Sequence, residues 1–156
     1  MSVLYTIGYE GVDINTFVDH LHKHDIKLLV DVRENPVSRK PGFSKNKIKA
    51  FLAENNISYI HLSEFGSPKD IREKLHKDLN YDAFFQQYRL YISDQIDLMM
   101  ELLVKLETES SCLMCFEHEP NSCHRSVLAE MLMSFSEEID SVEDISCQVA
   151  LKEKTS

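Results

Sequence analysis

Apolar positions along the chain fall into short unbroken runs separated by stretches at helical spacing. Residues 3–7 are β-branched, aromatic and apolar, and stop at Gly8-Tyr9-Glu10-Gly11, which reads as a strand and its turn. Asp13 suits the cap of a helix carrying Ile14, Phe17, Val18 and Leu21 on one face. Residues 27–32 hold apolar side chains without alternation, as in a strand covered on both faces. Ser44 suits the cap of a second helix, with Ile48, Phe51 and Leu52 inward and Asn55-Asn56 at its end. Residues 57–62 form a third strand pattern. Residues 63–80 are polar, contain Gly66 and Pro68, and read as a long loop with a helical turn. Residues 81–106 read as one long amphipathic helix, marked by Phe84, Phe85, Tyr88, Ile92, Ile96, Met99, Leu103 and Leu106. A fourth strand over 112–116, a helix over 123–135 and an edge strand over 142–146 complete the pattern.

Strands alternating with helices predict an α/β fold: a three-layer sandwich around a mainly parallel sheet of about five strands. The 156 residues suit a single domain, expected over 1–150 with a frayed tail over 151–156. In such sheets ligands bind beyond the carboxyl ends of the strands. Those ends carry Gly8, Tyr9 and Glu10; Asp31 and Arg33; His61 and Glu64; and Cys115, Glu117 and His118. Asp31 lies within an apolar strand and needs a partner; Arg33, two residues on, shares its face of the sheet.

Apolar residues make up 43 % of the chain and charged residues 28 %, as in ordinary globular proteins. No apolar stretch nears the ~20 residues that span a bilayer, and the N-terminus has no basic, signal-like region. A cytoplasmic protein with reduced Cys112, Cys115, Cys123 and Cys147 is therefore expected. The net charge of −9 argues against non-specific nucleic-acid binding as the main task. Against that acidity, Arg33, Arg39, Lys40, Lys45, Lys47 and Lys49 form a local basic strip suited to an anionic ligand.

The densest chemistry lies between Cys115 and Ser126, where two thiols, two imidazoles, two carboxylates and Arg125 meet at a strand-to-helix turn. A helix start there offers free N–H groups, and Arg33, Arg39 and Arg125 suit a phosphate. Cys115 or Cys123 as a thiolate is a second reading, helped by His124 and Arg125. Zinc is a third, but the Cys-x2-His-x4-Cys-His spacing of Cys115, His118, Cys123 and His124 is irregular, and no metal is assigned. General acid–base work by Glu117, Glu64, His61 or Asp31 is the fourth.

Several of these residues belong to recognisable pieces: Thr6-Ile-Gly-Tyr-Glu-Gly11, Leu29-Val-Asp-Val-Arg33 continuing to Pro36, Ser38 and Arg39, Tyr59-Ile-His-Leu62 to Phe65-Gly66, and Leu113-Met-Cys-Phe-Glu117 with Cys123-His-Arg-Ser126. In these the chain resembles the domain-of-unknown-function 488 family. The resemblance implies a small α/β protein of the bacterial or archaeal cytosol, without an established activity. It implies shared polar positions at Gly8, Asp31, Arg33, Pro36, Ser38, His61, Glu64, Cys115, Glu117, Cys123, His124 and Arg125; His118 and Cys112 fall outside it. A fainter similarity to rhodanese-like domains lies in the Asp-Val-Arg strand and a later cysteine. In those domains the arginine follows its cysteine far more closely than Arg125 follows Cys115.

The expectation is an enzyme, a hydrolase or transferase, that binds a phosphorylated or nucleotide-like small molecule. Asp31, Glu117, Cys115 and Cys123 are its catalytic candidates. Gly8, Tyr9, Arg33, Ser38, Arg39, His61, Glu64, His124 and Arg125 are its ligand-binding candidates, with no cofactor or metal. The alternatives are a non-enzymatic nucleotide- or nucleic-acid-binding module using the basic strip, and rhodanese-like thiol chemistry. An anionic small molecule is the expected partner, nucleic acid and a second copy of the chain are further candidates, and no membrane is expected.

Overall fold

The computed structural model describes residues 2–119 and 123–147. Five strands form one parallel sheet: β1 (Ser2–Gly8), β2 (Leu28–Asp31), β3 (Ser58–His61), β4 (Ser111–Cys115) and β5 (Ile139–Ile145), in the order β3-β2-β4-β1-β5. The chain runs outward from β1 through β2 to β3, then returns to place β4 between β2 and β1. That reversal opens a crevice beyond the ends of β1, β4 and β2, the usual ligand position in such sheets.

Six α-helices are described: α1 (Ile14–Lys23), α2 (Lys45–Glu54), α3 (Lys69–Asp78), α4 (Tyr81–Ile92), α5 (Ile96–Thr108) and α6 (Arg125–Phe135). Asp13 caps α1 as its position predicts, accepting from the Thr16 backbone N–H at 2.8 Å. The central strands β2 and β4 are buried on both faces, and the sheet separates two cores. On one side Ile7, Leu29, Cys112 and Met114 meet Phe17 and Leu21 of α1 and Ile48 and Leu52 of α2. On the other, Val30, Leu113 and Cys115 meet Tyr88 of α4, Met99 and Leu103 of α5, and Leu128 of α6. The fold is therefore a three-layer α/β arrangement, and each single-residue step along β4 sends its side chain to the opposite core.

Three expectations about elements need correction. The stretch over 63–80 is a 3₁₀ turn (Ser63–Phe65) followed by α3. None of α3 is fully buried, so the strong apolar stripe that reveals a helix is missing from it. The long helix over 81–106 is two helices, α4 and α5, separated by a 3₁₀ turn over Ser93–Gln95. Apolar periodicity runs through such a break because both helices cover the same core. The edge strand begins earlier than 142, at Ile139. The expected tail over 151–156 lies outside the described residues. Among the described residues, no helix is long and apolar enough to cross a membrane.

Candidate functional site

Arg125 opens α6 and is fully buried. Its Nε and Nη2 donate to Asp144 Oδ1 at 3.2 and 3.0 Å, and Nη2 also donates to the His118 carbonyl at 2.9 Å. Nη1 donates to the Glu117 carbonyl and approaches Cys115 Sγ at 3.2 Å. A guanidinium has five N–H donors, and these contacts use all five. Thr6 Oγ1 donates to the same Asp144 oxygen at 2.6 Å. Arg125 thus fastens the loop after β4 to β5.

Gly8 serves the same loop. A Cβ added there would lie 1.7 Å from the Glu117 carbonyl oxygen, so only glycine lets the loop cross the end of β1. Gly8→Ala is expected to cost roughly 1–3 kcal/mol in a denaturant titration, because backbone must move. Wild-type stability in that variant would mean that the loop lies elsewhere.

Asp31 and Arg33 pair as their spacing predicts. Arg33 Nε and Nη2 meet the two Asp31 oxygens at 2.8 and 2.7 Å, and Tyr59 Oη donates to Oδ2 at 2.5 Å. Burial works against the Arg33 charge, but hydrogen bonds and attraction from Asp31 outweigh it and hold the guanidinium above its ordinary value. Burial, then Asp31, likewise pushes the Tyr59 hydroxyl up. Asp31 is fully buried among these partners and is not among the residues that line the cavity described next. His61 donates its Nε2 proton to the Arg33 carbonyl at 2.7 Å, and Glu64 is exposed on the 3₁₀ turn. Neither lines the cavity, nor does Gly8.

The crevice predicted by the strand order is a cavity of about 650 Å³. Tyr9 contributes from the end of β1; Arg33, Ser38 and Arg39 follow β2; Cys115, Phe116 and Glu117 follow β4; and Cys123 and His124 precede α6. The structure thus brings together eight of the residues picked out as site candidates, from segments up to 115 positions apart (Tyr9 to His124). Tyr9 is fixed between Phe43, stacked at 4.5 Å, and Phe116, edge-on at 5.4 Å, and accepts from Arg33 Nη1 at 3.1 Å. Ser38 and Ser44 bond to one another through backbone and hydroxyl, which closes the loop that carries Arg39. Arg39 is exposed, and among the described residues nothing engages its guanidinium.

Burial raises the Glu117 carboxyl above the ordinary glutamate range, although the loop backbone and Arg125 pull the other way. His124 is buried; its Nε2 donates to the Val32 carbonyl at 2.8 Å, which leaves the Nδ1 lone pair 3.8 Å from Cys123 Sγ. Burial lowers this imidazole to about 4, against an ordinary value of 6.5. The folded state therefore binds fewer protons than the unfolded chain between those values, and stability is lost as pH falls through that window. Denaturant midpoints measured from pH 7 to pH 4 should fall more steeply in the wild type than in His124→Gln; parallel curves would place the titration elsewhere.

The sulfurs of Cys115 and Cys123 are in bonding contact, with their Cα atoms 7.5 Å apart, wider than the usual span of a disulfide. The end of β4 and the start of α6 bring their sulfurs together. Cys112 and Cys147 are free and buried. Cys115, Glu117 and Cys123 also hold their donor atoms within 4.8 Å of one another.

The family profile described as Domain of unknown function DUF488 matches residues 13–132. The chain belongs to this family. The match spans α1 to α6, and so covers every cavity residue except Tyr9. Among curated proteins, and among solved structures, nothing matches. The fold and cavity of this DUF488 chain thus have to speak through their own residues.

Sequence reasoning missed one wall of the cavity. Arg72, Leu75 and His76 of α3, Leu79 at its end, and Tyr81 and Phe84 of α4 all line it. Arg72 donates to Glu34 Oε1 at 2.9 Å and to the Ser67 carbonyl at 2.8 Å, tying α3 to the loop after β2. Gly66 allows that approach, since a Cβ there would lie 2.2 Å from the Glu34 nitrogen. The available signal was the spacing of Ile71, Leu75 and Leu79 together with Pro68 at the cap. The basic strip, conversely, splits apart. Lys45, Lys47 and Lys49 are exposed along α2, whereas Lys40 turns back to donate to the Val12 carbonyl at 2.7 Å.

Proposed function

We propose that this DUF488 protein is an enzyme, a hydrolase or transferase, acting on a phosphorylated or nucleotide-like small molecule held in the cavity at the strand carboxyl ends. The observation that carries this reading is Glu117: a carboxyl with a raised pKa sharing a ligand-sized cavity with Arg39 and Arg72. A carboxyl kept protonated closer to neutral pH suits proton delivery to a leaving group and its recovery from an attacking one. Arg39 is free to pair with a phosphate, Arg72 supplies a second guanidinium, and Arg33 has N–H groups beyond those given to Asp31 and Tyr9. The ring of Phe116 and that of Tyr81, both partly exposed, give the cavity flat apolar surface against which a base or similar ring can stack. Tyr9 backs the Phe116 ring edge-on at 5.4 Å.

The test is a panel of nucleotides, sugar phosphates and pyrophosphate, read by thermal stabilisation and by product formation. A ligand should stabilise the wild type and lose most of that effect in Arg39→Ser, and turnover should require Glu117. Stabilisation without turnover across the panel would favour a binding module; stabilisation that survives Arg39→Ser would place the ligand outside the cavity.

A further inference from the structure

The four cysteines have two kinds of surroundings. Cys112 and Cys147 lie in the core beside α1 and α2, and burial raises both thiols, Cys147 to about 11. Such thiols stay protonated and inert. Cys115 and Cys123 instead line the cavity with their sulfurs in contact, placed to form and break a bond between them. Arg125 Nη1 lies 3.2 Å from Cys115 Sγ, and the Arg125 backbone N–H, at the first residue of α6, points to Cys123 Sγ at 3.5 Å. Both contacts favour a thiolate. Glu117 Oε2 lies 3.6 Å from Cys115 Sγ, within reach of its proton.

We propose that Cys115 and Cys123 are a redox-active pair that exchanges with a small anionic thiol seated in the cavity. This rests on reading the cavity as an anion site, and adds that the bound molecule carries a thiol. Each cysteine is only 1 % exposed, so the attacking sulfur has to be delivered by a molecule that occupies the cavity. Arg39 and Arg72 line the same space and select one that is negatively charged.

The exchange has two steps. The ligand thiolate attacks Cys123 Sγ; an S–S bond forms to the ligand while the Cys115–Cys123 bond breaks. The electron pair leaves on Cys115 Sγ, where Arg125 Nη1 meets the charge and the Glu117 carboxyl supplies a proton. A second ligand thiolate then attacks the ligand sulfur of the mixed disulfide and releases Cys123. In sum, two thiols are oxidised to one disulfide, the protein disulfide is reduced by two electrons, and the two thiol protons end on the cysteines. The reverse sequence oxidises the pair with a small disulfide.

The test compares 2-mercaptoethanesulfonate, which is anionic, with neutral 2-mercaptoethanol, on the full oxidised chain at low ionic strength. Mass spectrometry after alkylation reads each cysteine separately, with Cys112 and Cys147 as internal references. The anionic thiol should free Cys115 and Cys123 about tenfold faster, against the repulsion of a protein with net charge −9. Arg39→Ser should reduce that preference, and Cys115→Ser, given the symmetrical disulfide of 2-mercaptoethanesulfonate as oxidant, should retain one probe sulfur on Cys123 as a mixed disulfide while the other leaves as the free thiol. Equal rates for the two thiols, labelling no faster than at Cys112 and Cys147, or a stoichiometric divalent metal held by Cys115 and Cys123 in place of the bond would each overturn the proposal. Pyrophosphate stabilisation measured alongside separates the two readings. If it persists while the pair is inert, only the redox proposal falls; if it is absent, the anion site beneath it falls as well.

Discussion

Replacing Arg125 with glutamine should destabilise the protein by roughly 3–5 kcal/mol, the usual cost of removing one partner from a buried ion pair. The side chain is fully buried, so solvent does not screen the loss, and Asp144 is left with only Thr6 as a donor among the contacts described. The carbonyls of Glu117 and His118 lose their donors in the same substitution. Asp144 is 20 % exposed and can recover some hydration, which favours the lower half of that range. Arg125→Lys should rescue little, because one ammonium cannot reach β5 and two loop carbonyls at once. Urea titration of both variants measures this. A loss below about 1 kcal/mol, the worth of an exposed pair, would mean that Arg125 is a surface residue free to bind a ligand.

Glu117→Gln should separate stability from activity. Turnover should fall by about 10²–10⁴-fold if this carboxyl is the acid–base group. Stability should move the other way at neutral pH. The folded carboxyl titrates above its unfolded value because burial penalises its charge. Between those two values the folded state binds more protons than the unfolded chain, so stability falls as pH rises through the window and stays lower above it. Glutamine carries no charge to bury. The variant should therefore be at least as stable as the wild type at pH 7 and should lose this part of the pH dependence. A variant that is both inactive and strongly destabilised would point to a structural role for Glu117 in holding the loop.

Local pattern revealed most of the frame of this site. Apolar runs and helical spacing place the ends of β1, β2 and β4, and the two-residue step from Asp31 to Arg33 anticipates their pairing. Parallel order then gathers Tyr9, Arg33, Arg39, Cys115 and Glu117 on one side of the sheet. What stayed hidden depends on contacts between distant segments. Arg125 looks like an anion ligand beside its neighbours in sequence, and only the arrival of Asp144 on β5 shows that its donors are spent. Asp31 invites a catalytic reading until Tyr59 is seen to complete its coordination. Helix α3 lacks a buried stripe, because one flank faces the cavity, so its Arg72 and His76 read as part of a polar loop. The contact between the sulfurs of Cys115 and Cys123 likewise follows from how a strand end meets a helix start, which spacing alone does not encode.

The central claim is that the cavity at the ends of β1, β2 and β4 is the ligand site. The most direct measurement is a titration of ¹⁵N-labelled protein with pyrophosphate and then with a nucleotide, followed by NMR. Saturable shifts are expected at Arg33, Ser38, Arg39, Arg72, Phe116 and Glu117, with Tyr81 joining only for the nucleotide. Shifts confined to the exposed lysines of α2, or no saturable shifts with either ligand, would contradict that claim.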